Sequence, residues 1–177
     1  PTKGYYARLA TNLSGLGGDV YSVKNILSGA YHWTPHEGFL LTVGGKAGYV
    51  VALSDDVLLS ERFFVGGRDL RGFATGGVGP RDLSTDDSLG GEWMYTGTVE
   101  LGFPLGLPSE LGVSGRLFTD IGSAGEIATT RSGIGDTGSL RASLGFGVTW
   151  KSPFGPLGLD LGIPLMKESF DETEIVR

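Results

Sequence analysis

The 177 residues carry 14 Lys and Arg against 20 Asp and Glu, for a net charge of −6, and no cysteine. The balance and the scattering of the basic residues argue against nucleic acid, which needs a clustered basic surface, and the missing cysteines exclude a disulfide framework or a thiolate metal site. Glycine fills 32 positions and charged residues only 19%, less than the usual quarter of a globular domain. No run approaches the roughly eighteen apolar residues of a membrane-spanning helix.

Period-two alternation runs through the chain almost from its first residue, and helical periodicity is nearly absent. After Pro1-Thr2-Lys3-Gly4, where no signal peptide is visible, Tyr5, Ala7, Leu9 and Leu13 share a face opposite Tyr6, Arg8, Ala10 and Asn12. A turn at residues 15–19 leads to Tyr21, Val23, Leu27, Tyr31 and Trp33, which oppose Ser22, Lys24, Ser28 and His32. Beyond a turn at 34–38, Phe39, Leu41, Val43, Ala47, Tyr49, Val51 and Leu53 oppose Thr42, Gly44, Lys46 and Gly48. Residues 54–91 then form a long Gly-dense loop, of a length that is uncommon and usually functional.

Residues 92–103 show the split most fully: Trp93, Tyr95, Gly97, Val99, Leu101 and Phe103 face one way, and Glu92, Met94, Thr96, Thr98, Glu100 and Gly102 the other. Val113, Leu117 and Ile121 next oppose Ser114, Arg116 and Asp120. A second Gly/Ser/Thr-rich loop covers residues 122–138. Residues 139–151 alternate again, with Leu140, Leu144, Phe146 and Trp150 against Arg141, Ser143, Thr149 and Lys151. Past a turn at 151–156, Leu157, Leu159, Leu161 and Ile163 oppose Gly158, Asp160 and Gly162. That makes about seven strands.

Alternation also fits a soluble sandwich or a lipocalin-like barrel. Three features favour an antiparallel transmembrane β-barrel. Several strands reach ten or more residues, near the length a tilted membrane strand needs. Aromatic residues (Tyr31, Trp33, Trp93, Phe103, Trp150) sit at or near strand ends, as in a girdle, and the polar faces have the Gly, Ser, Thr and charge of a wet lumen.

The long loop holds Glu61-Arg62-Phe63-Phe64-Val65-Gly66-Gly67-Arg68-Asp69-Leu70-Arg71-Gly72-Phe73, then Gly79-Pro80-Arg81-Asp82 and Leu89-Gly90-Gly91. In this it resembles the BamA-like outer-membrane assembly and translocation superfamily (bacterial surface antigen family), whose sixth outer loop carries an Arg-Gly-Phe tripeptide. The opening Pro1-Thr2-Lys3-Gly4 and the Trp150-Lys151-Ser152-Pro153-Phe154-Gly155-Pro156-Leu157 hairpin with Asp160 extend the resemblance over the whole chain, in the family's order.

An arginine inside a barrel needs carboxylate partners, because an unpaired buried charge is very costly. The alternation places Glu100 and Asp120 on the lumen side of successive strands, and the resemblance makes them the wall partners of Arg71. Gly72 would permit a tight turn at the tip and Phe73 would pack the loop against the wall. Arg81 and Asp82 are read as bracing the loop. Competing readings are a surface position for Arg71, and pairing of Glu100 and Asp120 with Arg116 or Arg141 instead.

Other chemistry is thin. His32 and His36 have no third ligand near them, Ser60, Ser84 and Ser88 lack nucleophile-elbow context, and Asp82, Asp86 and Asp87 are out of calcium-loop register. No metal, no cofactor and no catalytic residue is expected, and an arginine held between two acids would suppress hydrolytic use of that pair.

The resemblance implies a sixteen-stranded barrel behind periplasmic domains, of which residues 1–177 form part of the C-terminal half: about the ninth to fifteenth strands and the approach to the sixteenth at Glu174-Ile175-Val176-Arg177. It implies an outer-membrane location and a non-enzymatic role in folding and inserting other β-barrel proteins. The implied partners are unfolded barrel clients, accessory lipoproteins and outer-membrane lipids, with no nucleic acid. A translocation-and-assembly subunit, a secretion pore and, from another class, a passive porin or adhesin barrel remain as alternatives.

Overall fold

The computed structural model describes residues 3–15, 21–53, 56–127 and 132–177. Its strands, in chain order, are β1 Gly4–Ser14, β2 Ser22–Trp33, β3 Leu40–Ala52, β4 Gly72–Phe73, β5 Arg81–Asp82, β6 Trp93–Pro104, β7 Val113–Gly125, β8 Ile134–Gly135, β9 Arg141–Ser152, β10 Gly155–Met166 and β11 Thr173–Glu174. Seven of them form one antiparallel sheet in the order β1-β2-β3-β6-β7-β9-β10. The expected all-β, antiparallel architecture with seven long strands is therefore the observed one. The sheet is open, as befits part of a barrel, with β1 and β10 at its ends.

Each long strand has 11 to 13 residues. At about 3.3 Å per residue and a tilt near 45°, that spans close to the ~30 Å of bilayer hydrocarbon. The apolar face of the alternation is exposed: Tyr5, Leu9, Leu27, Val43, Tyr49, Val99, Leu117, Leu144, Trp150 and Leu159 all lie open on it. In water such a continuous apolar surface would drive association, so lipid is its natural neighbour. Among the described residues no helix is long and apolar enough to cross a membrane.

The opposite face is covered at one end by the loop that joins β3 to β6. Val57, Phe63, Val65, Leu70, Phe73 and Val78 of that loop pack with Val50, Met94 and Ala124 of the wall into the hydrophobic core, with Ile26 and Ala52 at its margin. The core thus lies between loop and inner wall rather than between two sheets.

Three boundaries differ from expectation. β7 runs on to Gly125, so residues 122–125 belong to the wall and not to the second loop. They are small because β6 is close: a Cβ on Gly125 would sit 2.6 Å from the Trp93 ring. The two loops also carry paired backbone, with β5 against β8 and β4 against β11. Finally, short turns at 15–19, 34–38 and 151–156 are expected at one end of the barrel and the longer loops at the other, whereas the strand directions put the connection after β1 at the long-loop end; most of the turn expected at 15–19 lies outside the described residues.

Candidate functional site

The loop between β3 and β6 descends onto the wall, and its tip is held there by polar contacts. Arg71 donates from its backbone N and its Nε to Asp120 Oδ2, at 3.1 and 2.8 Å, and from Nη2 to Asp120 Oδ1 at 2.9 Å. Its Nη1 donates to Glu100 Oε2 at 2.5 Å, and Nη2 reaches Thr98 Oγ1 at 3.1 Å. The Thr98 hydroxyl in turn donates to Asp120 Oδ1 at 2.5 Å.

The sheet register explains how two acids serve one guanidinium. Thr98 lies opposite Asp120 and Glu100 opposite Phe118, so the two carboxylates are diagonal neighbours on adjacent strands. Between them the Phe118 ring lies beneath the guanidinium, 3.5 Å from Cζ to the ring centroid. A planar cation with a rigid donor fork fits this arrangement, and an ammonium would not. Asp120 is 1% exposed, Arg71 12% and Glu100 31%. Burial pulls the Arg71 pKa down, but the hydrogen bonds and charge of Asp120 and then of Glu100 outweigh it, leaving the pKa above its ordinary value.

Gly72 has φ +94°, a conformation that L side chains rarely adopt, and a Cβ there would also come 3.2 Å from the backbone of Gly162. Gly162 on β10 is the reciprocal clearance: a Cβ on it would lie 2.6 Å from the Gly72 nitrogen. Phe73 is fully buried in the loop core. The structure thus brings Arg71, Gly72, Phe73, Glu100 and Asp120 together at one place on the wall.

Arg81 and Asp82 lie elsewhere in the loop and have separate surroundings. Arg81 is buried and donates to the backbone and carboxylate oxygens of Asp86 at 2.7 and 3.1 Å, to Gly76 O, and to Glu172 Oε2 at 3.4 Å. Asp82 accepts from the Ser84 backbone and hydroxyl, an Asx turn. Asp86, one of the aspartates with a superficial calcium look, has its carboxylate on Arg81. Among the described residues no group of three or more His, Asp or Glu is placed to hold a metal ion.

The competing partners for the wall acids are engaged otherwise. Arg116 pairs with Asp160 at 2.8 Å and donates to Thr149, and Arg141 pairs with Asp171 at 2.9 Å.

Several contributors escaped the sequence reading. Lys46 on β3 pairs with Asp69 at 2.6 Å, and Lys24 on β2 donates to Glu61 O at 2.8 Å while lying over the Phe63 ring. A Cβ on Gly48 would be 2.5 Å from that same ring, so β3 is hollowed to admit it. Phe118, Thr98, Lys24 and Lys46 all share the polar parity of their strands, which is the one signal that could have found them.

Comparison with known proteins follows the same lines. The family model for the Omp85 superfamily domain matches residues 1–177. The chain is 33% identical, over its whole length and 24% of that relative's, to the outer membrane protein assembly factor BamA of Neorickettsia risticii. A second BamA, from Nitratidesulfovibrio vulgaris, is 29% identical over 93% of the chain and 21% of that protein. A SAM50-like protein of Schizosaccharomyces pombe is 35% identical over 59% of the chain and 23% of its own length. The crystal structure of BamA from Haemophilus ducreyi lacking POTRA domains 1–3 superimposes with a TM-score of 0.85 at 23% identity, over 99% of this chain and 38% of that one; at that identity the likeness is one of fold. The chain spans about a quarter of the length of these sequence relatives.

Proposed function

The chain belongs to the Omp85 superfamily of outer-membrane β-barrel proteins, and from that premise we propose that it is the C-terminal part of the barrel of an assembly factor that folds and inserts other β-barrel proteins into the outer membrane. The observation that carries the reading is the buried Arg71 clamp, which docks a long loop onto the inner wall through Asp120 and Glu100. A passive pore has no need of a loop whose tip is fixed by a guanidinium between two wall acids. Two BamA proteins among the relatives support the assembly branch over a translocation or secretion role.

In this proposal residues 71–73 are the loop motif, Glu100 and Asp120 its wall partners, and Arg81 and Asp82 braces of the loop's far side. The proposal assigns no residue a catalytic role. The work is physical: a weakly closed edge of the barrel presents unpaired backbone donors and acceptors, on which a client strand pairs as it enters the bilayer. Unfolded barrel proteins are the clients, outer-membrane lipids the medium, and accessory lipoproteins the complex partners.

The test is replacement of Arg71 by Ala in the full-length protein, as the sole copy in its cell, with outer-membrane levels of client barrels measured. Falling levels of several unrelated clients support the reading, and unchanged levels of all of them overturn it for this residue.

A further inference from the structure

The final residues, 167–177, are gripped from three sides, and one ion pair sits where the grips meet. The Asp171 side chain is 0% exposed and that of Arg141, on β9, is 1% exposed. They pair through both prongs, Nε to Oδ2 and Nη2 to Oδ1, each at 2.9 Å. Both members of the pair, and the groups beside them, make further polar contacts. Asp171 Oδ2 also accepts the Glu168 backbone N–H at 2.7 Å, and Arg141 Nη1 donates to Ser139 O at 2.7 Å and to Ser123 Oγ at 3.3 Å. Ser139 Oγ donates to Glu168 Oε1 at 2.6 Å.

Beyond this point the chain divides its backbone between two partners. Glu172 accepts from Ala74 N and donates to Gly77 O, and Thr173 and Glu174 pair with Phe73 and Gly72. The next residues leave the loop and join the outer edge of β10. Gly162 N donates to Ile175 O at 2.8 Å, and Asp160 and Arg177 exchange both of their backbone hydrogen bonds. Leu161 lies opposite Val176. The same short segment therefore touches the residue next to Arg71 and the last edge of the sheet.

We infer that Arg141 and Asp171 are positioning residues that set the register of residues 175–177 on the edge of β10, tying that edge to the docked loop. The inference rests on the assembly reading only for its consequence, because residues 174–177 then open the last strand of the barrel, whose far edge is the seam at which client strands pair. The physical reason is strand periodicity. A slip of one residue turns every side chain of a strand to the opposite face, and three edge residues, 175–177, held mainly by backbone bonds do not choose a register by themselves. A bidentate pair one residue before Glu172 does, because its geometry admits one placement. Breaking it leaves a buried charge unpaired, which costs several times the worth of a surface pair.

The register can be read directly. Asp160 and Arg177 form a hydrogen-bonded pair, so Leu161 and Val176 form the closer, non-hydrogen-bonded kind, with Cα atoms about 4.5 Å apart and within disulfide reach. These 177 residues contain no cysteine to compete.

The experiment uses full-length protein in outer membranes carrying Leu161→Cys and Val176→Cys, alone and with Asp171→Asn or Arg141→Lys. Oxidative cross-linking is measured beside heat-modifiable mobility, which reports that the barrel is folded. Fast cross-linking that slows at least about tenfold in both variants, with folded mobility kept, is the expected result. A Leu161→Cys/Glu174→Cys pair reports the two-residue slip that keeps the same face, and it should gain cross-linking as the first pair loses it. Unchanged cross-linking overturns the inference, and so does loss of folded mobility in both variants, which would make the pair merely structural. Client insertion is assayed in the cysteine-free variants. If cross-linking slows while insertion stays normal, the register anchor stands and the assembly reading is what fails.

Discussion

Asp120 and Glu100 both hold Arg71, but they should respond very differently to losing their charge. Asp120→Asn keeps the shape of the side chain and replaces one acceptor oxygen with an NH2 donor. If the NH2 takes the Oδ2 position, it faces the backbone N–H and Nε–H of Arg71, now 3.1 and 2.8 Å away. In the Oδ1 position it faces Nη2, at 2.9 Å. Either orientation sets donors against donors in a site where Asp120 is 1% exposed, and the guanidinium loses its buried counter-charge. Removing one member of such a pair costs about 3–5 kcal/mol.

Glu100 is 31% exposed and shares only Nη1. Solvent screens it, so Glu100→Gln should cost about 1 kcal/mol or less. Hydrogen exchange of loop peptides spanning residues 66–78 in full-length protein measures both. Asp120→Asn should raise exchange there by a factor of about a hundred or more, since each ~1.4 kcal/mol is tenfold, and Glu100→Gln by less than about tenfold. Equal effects of the two variants, or no effect of Asp120→Asn, would refute the clamp as drawn.

Other perturbations test other parts of the account. Gly162→Ala should loosen the loop tip by about 1–3 kcal/mol, as overpacking does, because the new methyl meets the backbone of Arg71 and Gly72 and not a movable side chain; limited proteolysis within residues 66–78 reads it. Arg71→Lys should fail to substitute despite keeping the charge, since one ammonium cannot satisfy both Asp120 oxygens and Glu100 while lying flat on Phe118; client levels like those of Arg71→Ala are expected. Phe118→Leu removes the ring beneath the guanidinium and should weaken docking by about 0.5–2 kcal/mol, visible as a smaller rise in exchange of the same loop peptides. Val99→Arg, on the outer face near the middle of β6, should destabilise the membrane-embedded barrel by about 2–4 kcal/mol; a neutral result in a folding titration would argue that this face does not meet lipid.

The strands were legible because the two surroundings of the sheet impose alternation: lipid on one face selects Leu, Val and aromatics, and the lumen face takes Gly, Thr and charge. The same rule hid the loop core. Val50, Met94 and Ala124 carry lumen parity yet are buried and apolar, because at that end of the wall the neighbour is the loop and not water. Residues 122–125 read as loop since small residues show no alternation, although backbone pairing with β6 makes them strand. Glu100 and Asp120 could be placed by parity alone, while their partner Arg71 stood 29 and 49 positions away and needed the loop motif to suggest it. Nothing local pointed to Asp171 or Glu172. Each is one acid in an acidic tail, and its partner, Arg141 or Arg81, lies 30 or 91 residues back.

Reconstitution asks whether this wall and loop belong to a barrel that inserts other barrels. Full-length protein in vesicles, offered an unfolded outer-membrane β-barrel client without any nucleotide, should speed formation of the folded, heat-modifiable client well above empty vesicles. The Asp120→Asn protein at equal density should lose most of that gain. Client folding no faster than in empty vesicles, or no faster than in vesicles holding a passive porin, would contradict the account.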